Sequence, residues 1–195
     1  MKLFLSAQTK VCDTVTCENQ NITEKDLIQR AGISFVENLQ NTGEDLSGKI
    51  VIFAGPGNNG ADGISIAKNL YSKFHDVELV LIPLGKQYSD AFKFYLDNPV
   101  DQQPFPVHII KDAKQLNDIE DPDVFIDAIL GTGFNREPDK LLNSVIEYMR
   151  FYFFKVRRII LFFPAAIAVV AFIKRSVYKE ESELSSNQET PPSHE

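Results

Sequence analysis

The chain has 195 residues, of which 44% are hydrophobic and 24% are charged, and its formal net charge is -7. This length suits one domain with a sizeable core, and the composition is ordinary for a soluble globular protein. The negative charge argues against a broad nucleic-acid-binding face, because contact with phosphates needs clustered Lys and Arg.

The N-terminal stretch predicts a cytoplasmic chain. It starts MKLFLSAQTK, and the apolar run in this stretch is too short for the core of a signal peptide. Cys12 and Cys17 lie in a polar region without a neighbouring cluster of Cys or His. We therefore expect two free thiols in a reducing compartment.

Apolar patterning predicts helices that alternate with short strands. The first predicted helix is NITEKDLIQRAGISFVENL, where Thr23 and Asp26 resemble a capping box. Further helices are predicted from about Gly60 to Phe74, over SDAFKFYLDN, and over PDKLLNSVIEYMR. The predicted strands are KIVIFAG, DVELVLIPL, VHII and DVFIDAILGTG. Because these are apolar runs without period-two alternation, we expect a parallel sheet covered by helices on both faces.

Two glycine-rich turns follow predicted strands, at Gly55–Gly63 and at Gly131–Gly133. In parallel α/β sheets, ligands bind beyond the carboxyl ends of the strands. The three glycines of GPGNNG allow a tight turn and close approach of the backbone to a ligand, and the N-terminus of the following helix suits an anion. We therefore expect the functional site at these two loops.

The first loop fits the G-x-G-x-x-G pattern but fails the further test for an ordinary dinucleotide-binding turn. That turn needs an acidic residue about 20 positions on, at the end of the second strand. The second strand here ends LIPLGKQ, without Asp or Glu. The loop instead contains Asn58, Asn59 and Asp62, which are also common residues of purely structural turns.

Asp127 lies within the otherwise apolar strand VFIDAIL. A buried carboxylate without a partner is costly, so it must find a cation or hydrogen-bond donors. Asn and Asp oxygens from neighbouring strand ends are hard ligands that suit a monovalent or alkaline-earth cation. The alternative is that Asp127 accepts hydrogen bonds from backbone amides of a neighbouring loop.

Both loops and the sequence before them resemble the YjeF N-terminal domain family, the NAD(P)H-hydrate epimerases. The similar stretches are LSAQTKVCDTVTCENQNITEKDLIQRAG, GPGNNGADG and DAILGTGFNRE, in the family's order, and the resemblance extends over about Met1–Arg158. It implies a Rossmann-like three-layer α/β/α sandwich with a mostly parallel sheet, often dimeric. It also implies an isomerase of metabolite repair, which interconverts the R and S forms of hydrated NADH or NADPH so that an S-specific dehydratase can restore the cofactor.

The resemblance implies roles for individual residues. Asn59 and Asp127 would bind a potassium ion. Ala61 stands where a glycine is usual, and its methyl group either crowds the backbone approach or is harmless, if φ stays negative. The implied substrate-binding residues are Asn58, Asn59, Gly60, Ala61 and Asp62 in the first loop and Gly131, Thr132, Gly133, Phe134, Asn135, Arg136 and Glu137 in the second.

The chain departs from the family pattern after its last predicted helix. Family members continue into Asp-x-Pro-Ser-Gly, whose Asp is the expected catalytic group and whose Ser is a further potassium ligand. Here the stretch is RRIILFFPAAIAVV, and if Pro164 matches the family proline, Phe162 replaces the Asp and Ala165 replaces the Ser. Neither side chain can move a proton or bind a cation through oxygen.

The sequence offers no replacement for the missing catalytic group, because His75, His108 and His194 lie outside both loops. His108, beside two isoleucines, is expected to be a strand residue. We therefore assign no catalytic residue, and we expect a sheet without the family's last strands.

Three explanations are open for the apolar segment IILFFPAAIAVVAFI, residues 159–173. It is a buried, strand-like end of the core, a short membrane-inserting anchor, or an out-of-frame or truncated gene end that was never selected for the fold. A membrane span usually needs about 20 residues. We expect residues 1–158 to form the YjeF-like domain, and the polar residues 174–195 to form a disordered tail.

Two classes of function follow from these observations. The first is an enzyme of the hydrate-epimerase type, impaired by loss of the Asp-x-Pro-Ser-Gly motif. The second is a non-catalytic nucleotide- or ligand-binding module of the same fold. The expected partners are NADH or NADPH hydrate, a functionally paired dehydratase and a second copy of the chain, without nucleic acid. An ordinary NAD-dependent dehydrogenase is disfavoured by the missing ribose-binding carboxylate.

Overall fold

A computed structural model of the protein describes residues 6–97, 103–131, 134, 137–153 and 158–161. The helices are α1 (Ser6–Gln20), α2 (Glu24–Asn41), α3 (Asn58–Ser72), α4 (Asp90–Asp97) and α5 (Lys140–Phe153), with a 3-10 helix at Ala113–Asp118. The strands are β1 (Ile50–Ala54), β2 (Val77–Leu81), β3 (Val107–Ile109), β4 (Val124–Ala128) and β5 (Arg158–Leu161).

The five strands form one sheet in the order β3-β2-β1-β4-β5, and all pairings are parallel. In the register of the central strand, Ile52 of β1 lies between Leu79 of β2 and Ile126 of β4. All residues of β1 and β2 are buried, which explains why β1 is a continuous apolar run and why β2 is apolar except for Glu78. The predicted parallel sheet is confirmed.

Helices cover both faces of the sheet, so the predicted three-layer α/β/α sandwich is also confirmed. Alternate residues of β1 belong to different cores: Ile52 lies in the core that includes α2, α3 and α4, whereas Phe53 lies in the core that includes α5 and the 3-10 helix. Phe53 stacks on Phe125 of β4, with ring centroids 4.6 Å apart.

The start of α2 is fixed by the predicted capping box. The Thr23 hydroxyl accepts a hydrogen bond from the Asp26 backbone N–H at 3.2 Å, and the Asp26 carboxylate accepts one from the Thr23 N–H at 2.9 Å. These bonds satisfy two backbone donors that the helix itself leaves free. The buried face of α2 then packs on α3, where Gly32 lies so close that a Cβ atom on it would collide with the Ser65 side chain.

Two helical elements have no counterpart in the predicted pattern. The first is α1, whose Val11 and Val15 are exposed, so that its sequence shows no clear apolar face. Its Cys12 and Cys17 are free thiols. The second is the 3-10 helix, which begins at a capping box formed by Asp112 and Gln115.

The apolar segment 159–173 is described only at its beginning. Ile159 pairs with Phe125, and Leu161 pairs with Asp127, in the parallel ladder between β5 and β4. Residues 162–195 lie outside the described residues, so the three explanations for this segment and the predicted tail stay predictions. Within the described ranges, no helix combines the length and the hydropathy that a membrane span requires.

Glycines let α3 approach the ends of β1 and β4 closely. A Cβ atom on Gly60 would collide with the Gly55 carbonyl oxygen, and one on Gly55 would collide with the Ile129 carbonyl oxygen. A Cβ atom on Gly63 would lie 2.6 Å from the Ala128 Cβ. No side chain fits at these three positions, so the glycines fix the distance between α3 and the sheet.

Gly60→Ala is expected to destabilise the protein by about 1–3 kcal/mol, because its methyl group would collide with backbone that has no room to move. By helix propensity alone, alanine would stabilise the helix relative to glycine by about 1 kcal/mol. A loss of stability in Gly60→Ala would therefore have to come from the collision. Gly57→Ser is the matched control, since Gly57 is the N-cap of α3 and a Cβ atom on it would point into open space. Urea denaturation of the three proteins measures the difference, and equal stabilities for Gly60→Ala and wild type would contradict the packing argument.

Candidate functional site

The sheet has one topological switch point, between β1 and β4. From β1 the chain proceeds through α3 to β2 on one side, whereas β4 lies on the other side and leads through α5 to β5. At such a point the two loops that leave the strand ends diverge, and they open a crevice in which ligands of doubly wound sheets bind. Both glycine-rich loops of the sequence lie at this crevice.

The first loop is held by hydrogen bonds to two other parts of the fold. The Gly55 N–H donates to the Ala128 carbonyl of β4 at 3.1 Å, and the Pro56 carbonyl accepts from the Ser89 N–H, just before α4, at 2.7 Å. The helix begins at once, with the Ala61 N–H donating to the Gly57 carbonyl at 3.0 Å. The loop is therefore fixed before any ligand binds.

Asn59 connects the two loops and leaves one oxygen without a partner. Its side-chain amide donates to the Leu130 carbonyl at 3.2 Å, and a Cβ atom on Gly131 would lie 3.2 Å from the Asn59 Cβ. The residue is only 5% exposed, and its Oδ1 is buried without a hydrogen-bond partner among the described residues. A buried acceptor of this kind costs about 1–3 kcal/mol unless a donor or a cation meets it.

Asn58 is oriented by a residue of another helix. Its side-chain amide donates to the Glu24 carboxylate, in the first turn of α2, at 2.6 Å. This bond fixes which end of the Asn58 amide carries the oxygen. The first turns of α2 and α3 therefore meet at the site.

Asp62 is a buried carboxyl group in an acidic environment. It is 5% exposed, and no described residue donates a hydrogen bond to its carboxyl group. Burial, and then the charges of Asp13 on α1 and Glu24 on α2, raise the pKa of Asp62 to about 7. Burial, and then Glu24, also raise the pKa of Asp13. Three acidic side chains from three helices therefore influence one another here.

Asp127 lies one residue before the end of β4. By alternation along the strand, its side chain is on the face of Phe125, which α5 covers, whereas α3 and Asn59 cover the opposite face. Its Oδ1 accepts a hydrogen bond from the Ile129 N–H at 3.0 Å, and no described residue donates to its other oxygen. Burial raises the pKa of Asp127, and the bond from Ile129 opposes that rise. Asp127 thus accepts from a backbone amide, as the alternative prediction had it, but the amide belongs to its own segment and not to a neighbouring loop.

The second loop is described in part. The Phe134 N–H donates to the Gly131 carbonyl at 3.2 Å, and the Phe134 ring packs against the core beneath α5. Glu137 is exposed. The remaining predicted substrate-binding residues of this loop, Thr132, Gly133, Asn135 and Arg136, lie outside the described residues, as do Phe162 and Ala165.

Ala61 causes no strain in the first loop. It is buried within α3, and the only residues other than glycine with positive φ in the described part of the chain are Asn21 and Phe74. The Ala61 methyl group therefore belongs to ordinary helical backbone. Of the two alternatives for this position, the structure supports the one in which φ is negative and the methyl group is harmless.

The described histidines interact away from the crevice. His108 is a residue of β3, as predicted, and its Nε2 lies 3.0 Å from a carboxylate oxygen of Glu78 on β2. The hydrogen bond with Glu78 is the main reason that the pKa of His108 is raised. The Nδ1 of His75 lies 3.1 Å from the Leu46 carbonyl oxygen. His194 lies outside the described residues.

Asp13 and Glu24 are site residues that the sequence pattern did not indicate. Asp13 belongs to α1, for which no helix was predicted, and Glu24 precedes the first apolar position of α2. Their proximity to Asp62 arises from the packing of α1 on α2 and of α2 on α3. The periodicity of apolar residues along one helix could not have predicted this proximity.

Comparison with known proteins assigns this architecture to a class. The family model of the YjeF-related protein N-terminus matches residues 24–151. The chain is 32% identical over 147 residues to an NAD(P)H-hydrate epimerase of Leuconostoc sp. (strain C2), and the match covers 75% of this chain and 62% of that protein. It is 39% identical over 124 residues to an NAD(P)H-hydrate epimerase of Anaerococcus prevotii, covering 62% of this chain and 56% of that protein.

Two further similarities agree with that assignment. A bifunctional NAD(P)H-hydrate repair enzyme Nnr of Dictyoglomus turgidum is 30% identical over 154 residues, which cover 76% of this chain and 29% of that protein. The crystal structure of yeast YNL200c has the same fold, with a TM-score of 0.62 and 18% identity over 81% of this chain and 68% of that one. The chain belongs to the YjeF-related N-terminus family, and the predicted resemblance is confirmed.

Asp62→Asn is expected to change how stability depends on pH. The pKa of Asp62 is about 7 in the folded protein, above its ordinary value of 3.8. The folded state therefore keeps a proton that the unfolded chain has released, and the free energy of unfolding falls as pH rises from about 4 to about 7. A shift of this size corresponds to something on the order of 4 kcal/mol.

This fall should be smaller in Asp62→Asn, which has no carboxyl group to ionise, so the variant should exceed the wild type in stability above about pH 7. Urea denaturation across this pH range measures both profiles. Asp97→Asn, which changes an exposed aspartate at the end of α4, should keep the wild-type profile. Parallel profiles for Asp62→Asn and the wild type would show that Asp62 ionises normally.

Proposed function

We propose that this chain binds hydrated NADH or NADPH at the crevice between β1 and β4 and interconverts its R and S forms. The observation that carries the proposal is the position of Asn59. Its side-chain oxygen is buried without a partner, and it lies at the glycine-rich loop that hydrogen bonds hold in place at the switch point of the sheet. Membership of the YjeF-related family, with relatives named NAD(P)H-hydrate epimerase, supports the choice of substrate. The chain spans about 62% of the length of the first of these relatives. The relative's activity is therefore a proposal for this chain.

The proposed substrate site uses both loops. Residues 58–62 supply the N-terminus of α3, which favours negative charge such as a cofactor phosphate. Residues 131–137 would cover the substrate from the side of β4. Fixation of the first loop by β4 and α4 supports this role, because a prefixed loop loses little entropy on binding.

We propose that Asn59 and Asp127 hold a potassium ion. Because the two side chains lie on opposite faces of the sheet, the ion would sit beyond the strand ends, where each side chain would reach it with a hard oxygen atom. The Asn59 Oδ1 is unpartnered, and one Asp127 oxygen receives no hydrogen bond from the described residues. The part of the chain that the structure describes contains no group of three or more His, Cys, Asp or Glu side chains suited to a metal. The ion would supply positive charge that offsets the carboxylates at the crevice.

The repair reaction needs a functional partner. An epimerase only redistributes the two hydrates, so an S-specific dehydratase must consume the product for the cofactor to be restored. We propose this pairing for a cytoplasmic chain, and a homodimer as its assembled form.

A second candidate function is a ligand-binding module that lacks catalysis. The observation in its favour is the stretch around Pro164: if this residue matches the family proline, Phe162 and Ala165 stand where the family's Asp and Ser are expected. The two functions share the same crevice, and they differ only in whether bound hydrate is turned over.

A coupled assay separates the two candidates. R-form NADPH hydrate is incubated with an S-specific dehydratase, and formation of NADPH is followed by absorbance with and without the full chain. Epimerase activity should raise the rate above spontaneous epimerisation. Asn59→Ala should abolish most of that gain, whereas Asn38→Ala, on the exposed side of α2, should not. Saturable hydrate binding at the spontaneous rate would instead support the binding module.

Asp127→Asn should weaken hydrate binding in potassium buffer by about tenfold or more, because the substitution removes the charge that attracts the cation. Asparagine can still accept the hydrogen bond from the Ile129 N–H, so the loop should stay folded. Calorimetric titration with NADPH hydrate in potassium and in choline buffers measures the effect, with the exposed variant Asp97→Asn as control. Equal affinities for wild type and Asp127→Asn in both buffers would remove the cation site.

A further inference from the structure

Asp62 is a buried acid on α3, one turn of the helix after Asn59. It is 5% exposed and receives no hydrogen bond from the described residues. By contrast, one oxygen of Asp127 accepts from the Ile129 N–H, and a carboxylate oxygen of Glu78, on β2, lies 3.0 Å from the His108 Nε2. A carboxyl group that is kept buried without a structural contact costs stability, which is typical of a functional position.

We propose that Asp62 transfers the proton in the epimerisation, acting as acid when the hydroxyl group leaves and as base when water returns. This inference rests on the proposed function and assigns it the catalytic residue that the sequence alone did not provide. Asp62 lies three residues after Asn59 on α3, so the two side chains share one side of the helix near the crevice. The unpartnered oxygen of Asn59 marks, independently, that this turn of α3 faces a polar ligand.

The charges around Asp62 favour a group that can both donate and accept a proton near neutral pH. Burial, and then the charges of Asp13 on α1 and Glu24 on α2, raise the pKa of Asp62 to about 7. A general acid–base catalyst is most effective when its pKa is close to the working pH. The only acidic groups that act on Asp62 in the described part of the chain are these two.

The proposed step balances without an oxidant or a second substrate. The Asp62 carboxyl proton passes to the hydroxyl oxygen on the hydrated ring carbon, the carbon–oxygen bond breaks, and water leaves. The lone pair of the adjacent ring nitrogen forms a carbon–nitrogen double bond, which carries the positive charge. Water then adds to the opposite face of that carbon and returns a proton to the Asp62 carboxylate, so the substrate is inverted and the residue is restored.

Glu24 acts in this scheme as a positioning residue. Its carboxylate accepts the 2.6 Å hydrogen bond from the Asn58 side chain, which orients the start of α3. Its charge also contributes to the raised pKa of Asp62. A residue that only supported the loop would alter binding, whereas this one should also alter the pH at which the enzyme works.

The test measures kcat, hydrate affinity and pH profile of the full chain in the coupled NADPH-hydrate assay. Asp62→Asn should lower kcat by about 100-fold or more, the usual contribution of a general acid–base, while hydrate affinity changes only a few-fold. Glu24→Gln should move the loss of kcat at high pH toward lower pH, because one charge that raises the pKa of Asp62 is removed. Glu37→Gln, on the exposed side of α2, should leave the profile unchanged.

The outcomes distinguish this inference from the proposed function. If the wild type is active and Asp62→Asn has the same kcat and pH profile, the catalytic role of Asp62 is overturned and the proposed epimerase activity stands. A wild type that never exceeds the spontaneous rate overturns the proposed function itself, and the proton transfer with it. If Asp62→Asn does not fold by circular dichroism, the Glu24→Gln profile decides alone, and an unshifted profile counts against the inference.

Discussion

The close contact between the first turn of α3 and the ends of β1 and β4 determines the rest of the site. Gly60 lies directly on the Gly55 carbonyl, and Gly63 lies against Ala128, so neither position has room for a side chain. This contact brings the N-terminus of α3 to the switch point of the sheet, where the backbone already leaves a crevice. Asn59 and Asp62 reach their buried positions because these glycines let the helix that carries them lie directly against the strands.

Polar groups at the two ends of the sheet differ in whether they have partners. Near the amino ends of the strands, Lys49 pairs with Asp76 at 3.1 Å and with Glu120 at 2.9 Å, and its backbone N–H donates to Asp123. At the carboxyl ends, the oxygen of Asn59 and the carboxyl group of Asp62 are buried without such partners among the described residues. Both arrangements occur in one small domain. A ligand is the simplest way to satisfy groups of this kind.

The sequence was sufficient to predict four of the five described strands and the position of the glycine-rich loop after β1, for physical reasons. Buried parallel strands such as β1 need continuous apolar runs, and a helix that touches strand ends needs glycine, so both leave a local signal. Asp13 and Glu24 leave none, because their effect on Asp62 depends on how three helices pack. The hydrogen bond from Ile129 to Asp127 likewise depends on where β4 ends, which an apolar run cannot define to one residue.

The protonation of Asp62 shows which of two opposing effects dominates. The N-terminal end of a helix stabilises a nearby carboxylate by about 0.3–1 kcal/mol, which would lower the pKa of an acid near the start of α3. Burial with Asp13 and Glu24 acts in the opposite direction, and a pKa of about 7 corresponds to something on the order of 4 kcal/mol. Burial and like charge therefore outweigh the helix dipole. The helices α1 and α2 lie outside the sheet, and yet they supply the two acids that, after burial, contribute most to the raised pKa of Asp62.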